Sequence, residues 1–444
     1  MKQIIIFLVS VFIFFINIHA QYRNPLPSSA QLKWHEDNYY FFMHFGPNTF
    51  TGKEWGDGKE KTSLFNPSQL DTDQWCKIAK EAGAKGIIIT AKHHDGFCLW
   101  PSKYSTHTVR ESAYQKDILA LLSASCKRAG LLFGVYLSPW DRNHPDYGTD
   151  KYNDVFVNML GEIFQNYGPI WELWWDGANG EGPNGKIQQY DWKRYEQFVR
   201  KVSPQTVIFS DIGPDIRWVG NESGYAGNTN WNLLDTAGFK RGHGAPSQDT
   251  LESGNYRGAH YIPAEVDVSI RPGWFYRDTE NDKVKTANQL FDIYLKSVGR
   301  GANLLLNVPP DTRGLIHEND QKALSGMKQK IDALYQTDLL KLAILNEAGP
   351  DKNNLQKKYT WFYLLKSPVS FNGIILSEQL KYGQKIASAT ISFSLHGELI
   401  HQEKITTVGN QRILTLPKPM QVTEVTIVVN ESKGMPLLKR AKAF

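Results

Sequence analysis

The chain has 444 residues and a formal net charge of +5, with its lysines and arginines scattered rather than gathered in a stripe, which argues against nucleic acid as the main partner. Its cysteines, Cys76, Cys98 and Cys126, are odd in number and lack CxxC spacing, so they indicate neither a zinc site nor a disulfide framework and read as buried thiols. Aromatic residues make up 12% of the chain; their flat apolar faces suit sugar rings as well as a large core.

At the N-terminus, Lys2, the apolar run Ile4 to Ile16 and the small residue Ala20 have the three-part layout of a secretory signal. Residues 1–20 are therefore expected to be removed, and the product to be exported, periplasmic or secreted. The apolar run is shorter than the roughly 20 residues of a membrane span, and no later stretch approaches that length. The residue directly after the expected cleavage site is Gln21 and not cysteine, so no lipid anchor is expected.

Tyr39 to His44 reads as an opening strand. Asp71 and Thr72 then cap a helix whose Trp75, Ile78, Ala79 and Ala82 recur at helical spacing; it stops at Gly83 and yields to the β-rich run Gly86 to Thr90. The unit repeats. Asp117 opens a helix ending at Gly130 before the strand Leu131 to Leu137, and Phe156 to Tyr167 leads to Ile170 to Trp175. Trp192 to Val202 precedes Thr206 to Ser210, and Leu290 to Val298 precedes Ala302 to Asn307. A last helix runs from about Asn319 to Tyr335. Between 211 and 285 two further strands are not readable, and frequent Gly, Asn, Asp and Pro point to long loops.

Such repeats with near-continuous apolar strands predict an α/β fold with a parallel sheet covered on both faces. An open nucleotide-binding sheet should carry GxGxxG or GxxxxGKS/T after its first strand, and neither occurs. We therefore expect a closed (β/α)8-like TIM barrel over residues 21–338. After about residue 340 the helical period gives way to alternating segments such as Ala387 to Leu395 and Val422 to Val429, which predict a C-terminal β-sandwich over 339–444. No aromatic cluster marks it as a sugar binder, so bracing of the barrel is its expected role.

In such a barrel, functional side chains gather at the C-terminal ends of the strands. There the sequence places His44, then His93, His94 and Asp95, then Tyr136 and Ser138, then Asp176, then Asp211. Asp176 follows Trp174 and Trp175 and precedes Gly177. It suits a glycosidase nucleophile, an ionised carboxylate held beneath an anomeric carbon; the plainer reading is a cap for the next segment. A retaining enzyme needs a second carboxyl as general acid/base. Glu222, four residues beyond Trp218, is the choice, with Glu265 and Asp267 as rivals.

The segments His44-Phe45-Gly46, Glu54-Trp55, Lys92-His93-His94-Asp95-Gly96-Phe97, Glu172-Leu173-Trp174-Trp175-Asp176-Gly177 and Asn303 to Asp311 resemble the α-L-fucosidases of glycoside hydrolase family 29, in order from about residue 33 to 320. The resemblance implies a retaining hydrolase without metal or cofactor, with Asp176 attacking fucose. It also implies fucose contacts from His44, Glu54, Trp55, His93, His94 and Tyr136. Chemically, the histidines and Glu54 suit the sugar hydroxyls and Trp55 the C5 methyl; Trp274 is a further candidate for this pocket. The stretch Asp215 to Glu222 resembles the subgroup that prefers α-1,3/1,4-linked fucose on branched, Lewis-type glycans, which makes Glu222 the acid/base. Fucosylated oligosaccharides or glycoconjugates are then the expected partners. Alternatives are a broad-specificity fucosidase accepting α-1,2 and aryl fucosides, and a non-catalytic fucose-binding protein.

A metal enzyme is the remaining rival because of His93-His94-Asp95. Adjacent histidines on an extended strand end should point to opposite faces, and HExxH is absent. Asn221-Glu222-Ser223 and Asn430-Glu431-Ser432 match the N-glycosylation pattern; a glycan on Asn221 would crowd the proposed site.

Overall fold

The computed structural model describes residues 25–350 and 358–444; the expected signal, residues 1–20, lies outside them. Eight parallel strands close into a barrel: Tyr39–Met43, Gly86–Lys92, Leu132–Leu137, Glu172–Trp174, Val207–Ser210, Ile216–Trp218, Ala264–Ser269 and Asn303–Asn307. Each pairs with its neighbours in chain order, and the first closes on the eighth through Tyr39–Leu304 to Phe42–Asn307.

Strand alternation sorts the apolar residues onto two faces. Tyr39, Phe41, Met43, Ile87, Ile89, Leu304 and Leu306 join the large core between strands and helices, whereas Tyr40, Phe42, Ile88 and Leu305 join a smaller cluster with Trp34, Tyr136, Trp174 and Phe209 inside the barrel. Both faces are dry, which is why these strands read as continuous apolar runs. Helix ends follow local chemistry. Asp71 accepts from the backbone of Asp73 and Gln74 to start Thr72–Glu81, and Asp117 accepts from Ala120 to start Ile118–Ala129, which Gly130 ends in the left-handed region at φ 70°.

Helix–strand alternation fails in one place. Between the fifth and sixth strands lie only residues 211–215, with no helix. The following stretch, 219–263, holds one short helix, Gln248–Ser253, and the two-residue pairing of Leu233–Leu234 with His260–Tyr261.

The C-terminal unit is antiparallel: six strands from Ile344 to Ala443 with their own core around Trp361, Phe371, Ile391, Phe393 and Ile427. Its two longest strands, Thr360–Glu378 and Arg412–Ser432, pair with register shifts between Leu364 and Val369 and between Phe371 and Gly373. It docks on the barrel through Ile375 and Ile413, which join the large core, and through polar contacts. Gln384 accepts from Asn232 N (2.8 Å) and donates to Asn230 O (2.9 Å), and Asn410 donates to His35 O (2.6 Å). Among the described residues no helix is long and apolar enough to cross a membrane.

Candidate active site

The C-terminal strand ends converge on a cavity of about 420 Å³ lined by Phe42, His44, Trp55, His93, His94, Tyr136, Trp174, Asp176, Trp218, Glu222, Asp267 and Trp274, with the loop Gly242–Ala245. No described residue of the C-terminal unit lines it.

His44 follows the first strand. Asn307, at the end of the eighth, spends its amide hydrogens on Ser269 Oγ (2.9 Å) and Trp274 O (2.8 Å), so its Oδ1 accepts from His44 Nδ1 at 2.9 Å. That tautomer leaves a lone pair on Nε2. His94 repeats the device: Ser138 Oγ donates to Trp140 O (2.8 Å) and accepts from His94 Nδ1 (2.8 Å). Burial holds both imidazoles neutral, lowering His44 to about 3, and His94 to about 4 against the opposing pull of Asp176. Neutral rings of this kind can accept from sugar hydroxyls.

The expectation that His93 and His94 point to opposite faces is not met. Both line the cavity, their ring centroids 4.2 Å apart. The extended run ends at Lys92, and the chain turns through Gly96, whose φ is +81° and where a Cβ would sit 2.3 Å from Asp141 Oδ1. His93 lies nearly parallel to Tyr136 (5.7 Å, 17°), and its buried Nδ1 has no protein partner. Among the described residues no group of three or more His, Cys, Asp or Glu is arranged to hold a metal ion.

Asp176 follows the fourth strand. Its Oδ2 accepts from Tyr136 OH (3.1 Å) and lies 3.7 Å from His94 Nε2, and its Oδ1 accepts from Ala178 N (2.7 Å). It thus caps the next segment and presents a fixed carboxylate to the cavity at once. Close behind, Gly180 has no room for a side chain, because a Cβ would come within 2.5 Å of Trp140 Cζ2.

Glu222 lies in the loop after the sixth strand, at the rim, and accepts from Trp274 Nε1 at 3.3 Å. Partial burial pushes its carboxyl up from the usual range; the Trp274 bond opposes this, and the negative charges of Asp176 and Glu54 add to it. The indole that meets Glu222 is thus Trp274. Trp218 instead donates to Asp267 Oδ1 at 2.8 Å. Asp267 lines the cavity, and burial, then Glu222 and Glu265, push it well up. Glu265 lies inside the barrel, fully buried, accepting from Trp174 Nε1 (2.8 Å) and Tyr40 OH, and it does not line the cavity.

Glu54 is also absent from the lining. Its carboxylate holds Trp274 N (2.5 Å) and the Arg277 guanidinium. Trp55 is 54% exposed and meets His94 and Trp140 edge to face, at 5.5 and 5.6 Å. Asn221, by contrast, is buried, its amide donating to Tyr225 O (3.1 Å) and Glu252 Oε1 (3.0 Å), so a glycan there would require the loop to open.

Sequence reasoning missed several lining residues. Trp174 was findable: two residues before Asp176 on a strand, it shares the inner face, where it stacks on Phe209 at 4.0 Å. The loop Gly242–Ala245 carries no periodic signal.

This arrangement has relatives. The α-L-fucosidase family profile matches residues 19–332. Alpha-L-fucosidase 1 of Arabidopsis thaliana is 40% identical over 442 residues, covering 93% of this chain and 86% of the plant protein. Among solved structures, a glycoside hydrolase family 29 member from a rumen bacterium superposes with a TM-score of 0.86 at 37% identity, over 95% of this chain and 77% of that one. A Ruminococcus gnavus family 29 fucosidase in complex with fucose gives 0.85 at 27% identity, over 95% of each chain. The chain belongs to the α-L-fucosidases of glycoside hydrolase family 29.

Proposed function

We propose that this α-L-fucosidase is a retaining exo-enzyme that removes terminal α-1,3/1,4-linked L-fucose from branched, Lewis-type glycans. In this reading Asp176 attacks the anomeric carbon to form a β-fucosyl ester while Glu222 protonates the departing oxygen. Glu222 then takes a proton from water, which attacks the ester and releases fucose with its α configuration. The observation that carries the reading is the pairing of two carboxyls in different settings around one cavity. Asp176 is pinned by Tyr136 and Ala178, while Glu222, at the rim beside Trp274, is raised toward the protonated form. His44, His93, His94, Trp55 and Tyr136, which line the cavity, supply the hydroxyl and ring contacts; that such a fold takes fucose is supported by the similar Ruminococcus gnavus fucosidase, solved in complex with fucose. Glu54 acts on this pocket by holding Trp274.

Export follows from the N-terminal layout, Lys2 through Ala20. The mass of the protein recovered from its native host tests it: a chain starting near Gln21 supports export, and an intact Met1 start contradicts it.

The linkage reading is tested by fucose release from a Lewis-type trisaccharide, a 2-linked fucosyl-lactose and an aryl fucoside. Preferential release from the branched trisaccharide is expected. Equal release from all three would make the enzyme a broad-specificity fucosidase.

A further inference from the structure

A second cavity, of about 560 Å³, adjoins the first, and His243 lines both. The turn Arg241–Gly242–His243 is tied down on several sides. Gly242 N donates to Asp211 Oδ2 at 2.9 Å, Arg241 O accepts from Trp192 Nε1 at 3.1 Å, and His243 Nε2 lies 3.0 Å from Asn179 Nδ2. The hydroxyls of Tyr147 and Tyr190 hold Asn179 Oδ1 at 2.9 and 3.1 Å.

The chemistry of the second cavity differs from that of the first. The catalytic cavity contains Asp176, Asp211, Glu222 and Asp267, whereas among the described residues no carboxylate lines the second. Lys240, Arg241, His243 and His260 line it, and Trp192 and Phe239 add aromatic surface, Phe239 being 41% exposed. The neighbouring acids are already engaged. Glu196 pairs with Arg241, and Asp211 accepts from the backbone of Gly242 and Ile212. Lys240 makes no ion pair among the described residues.

We propose that this second cavity is a subsite for an anionic substituent, a sulfate ester or a sugar carboxylate, borne by the glycan whose terminal fucose occupies the first cavity. The aromatic surface takes the face of the neighbouring sugar, and Lys240 takes the charge. The inference rests on the branched-glycan reading above. Lys240 is solvent-exposed, so its contribution is that of one exposed ion pair, about two- to fivefold in affinity and weakened by salt.

The test compares kcat/KM on a neutral Lewis-type trisaccharide with the same glycan carrying a sulfate or a sialic acid on its galactose, at low and high salt. At least one anionic form is expected to be turned over about two- to fivefold more efficiently at low salt. Lys240→Gln should abolish that advantage and Lys240→Glu reverse it, both leaving aryl-fucoside hydrolysis unchanged. Which glycan gains separates sulfate from carboxylate. An advantage that survives both variants, or none with either anion, overturns the proposal. Should no trisaccharide be cleaved while the aryl fucoside is, the branched-glycan reading fails on its own. The cavity is then decided by titrating Asp176→Ala with a sulfated galactoside and its unsulfated parent: tighter, salt-sensitive binding of the sulfated form that requires Lys240 supports the subsite, and equal binding overturns it.

Discussion

Trp274 donates its indole N–H to Glu222 Oε2 at 3.3 Å while its backbone N–H is held by Glu54. The indole bond favours the ionised carboxylate and so opposes the burial that raises Glu222. An acid that must be protonated loses activity as pH rises through its pKa. Removing the bond in Trp274→Phe therefore raises that pKa further, and the basic limb of kcat/KM on an unactivated fucoside should move to higher pH. A limb that stays or moves down would contradict the assignment.

Loss of Glu222 itself should depend on the leaving group. Glu222→Ala is expected to slow natural glycans far more than aryl fucosides with good leaving groups, because only the former need protonation. Added azide should rescue it and give α-fucosyl azide, since azide then intercepts the β-linked ester. Azide rescue of Asp176→Gly should instead give the β-azide by direct displacement. Swapped products would exchange the two roles.

Asp267 separates a neutral acid from an ion. Its Oδ1 accepts from Trp218, and burial pushes the carboxyl well up. Asp267→Asn keeps a neutral acceptor and should leave the pH profile in place. Asp267→Leu strands the Trp218 indole and should cost about 1–3 kcal/mol in urea denaturation. A large change in the pH profile of the Asn variant would show that Asp267 works as an anion.

Beneath the His94–Trp140 wall, Lys92 is fully buried with its Nζ 3.3 Å from Asp141 Oδ2 and 3.2 Å from Tyr152 OH. Asp141 also anchors the backbone of Asn143 and His144, at 3.0 and 2.8 Å. Asp141→Ala leaves an unpaired buried ammonium and should lower unfolding free energy by about 3–5 kcal/mol. A loss below about 1 kcal/mol, the range of exposed pairs, would mean that Lys92 finds another partner or water.

Six strands were legible as near-continuous apolar runs, and the flanking helices by their period. Asp71, Asp117, Gly83 and Gly130 mark helix boundaries where the structure has them. The sixth strand, Ile216–Trp218, is three residues long with the buried Arg217 at its centre, so it shows no apolar run. The seventh, Ala264–Ser269, hides its pattern because Glu265 and Asp267 occupy its inner face and bond to indoles there. The missing helix between the fifth and sixth strands is a feature of connectivity that no composition rule foretells. At the site, strand-end logic located His44, Tyr136 and Asp176. It located His93 and His94 as well, which line the cavity; only the expectation that they point to opposite faces failed, because it assumed extended backbone beyond Lys92 where the chain turns. The contacts of Glu54 and Trp274 span 220 positions, and spacing carries no information about such a pair.

The central claim is that Asp176 forms a covalent bond to fucose. Incubation with 2-deoxy-2-fluoro-fucosyl fluoride, which slows breakdown of the ester more than its formation, followed by peptide mapping, tests it directly. A single adduct on the peptide bearing Asp176, with α-fucose as the first product released from substrate, is the predicted result. An adduct on Glu222 or Asp267, or no adduct together with β-fucose as first product, would contradict it.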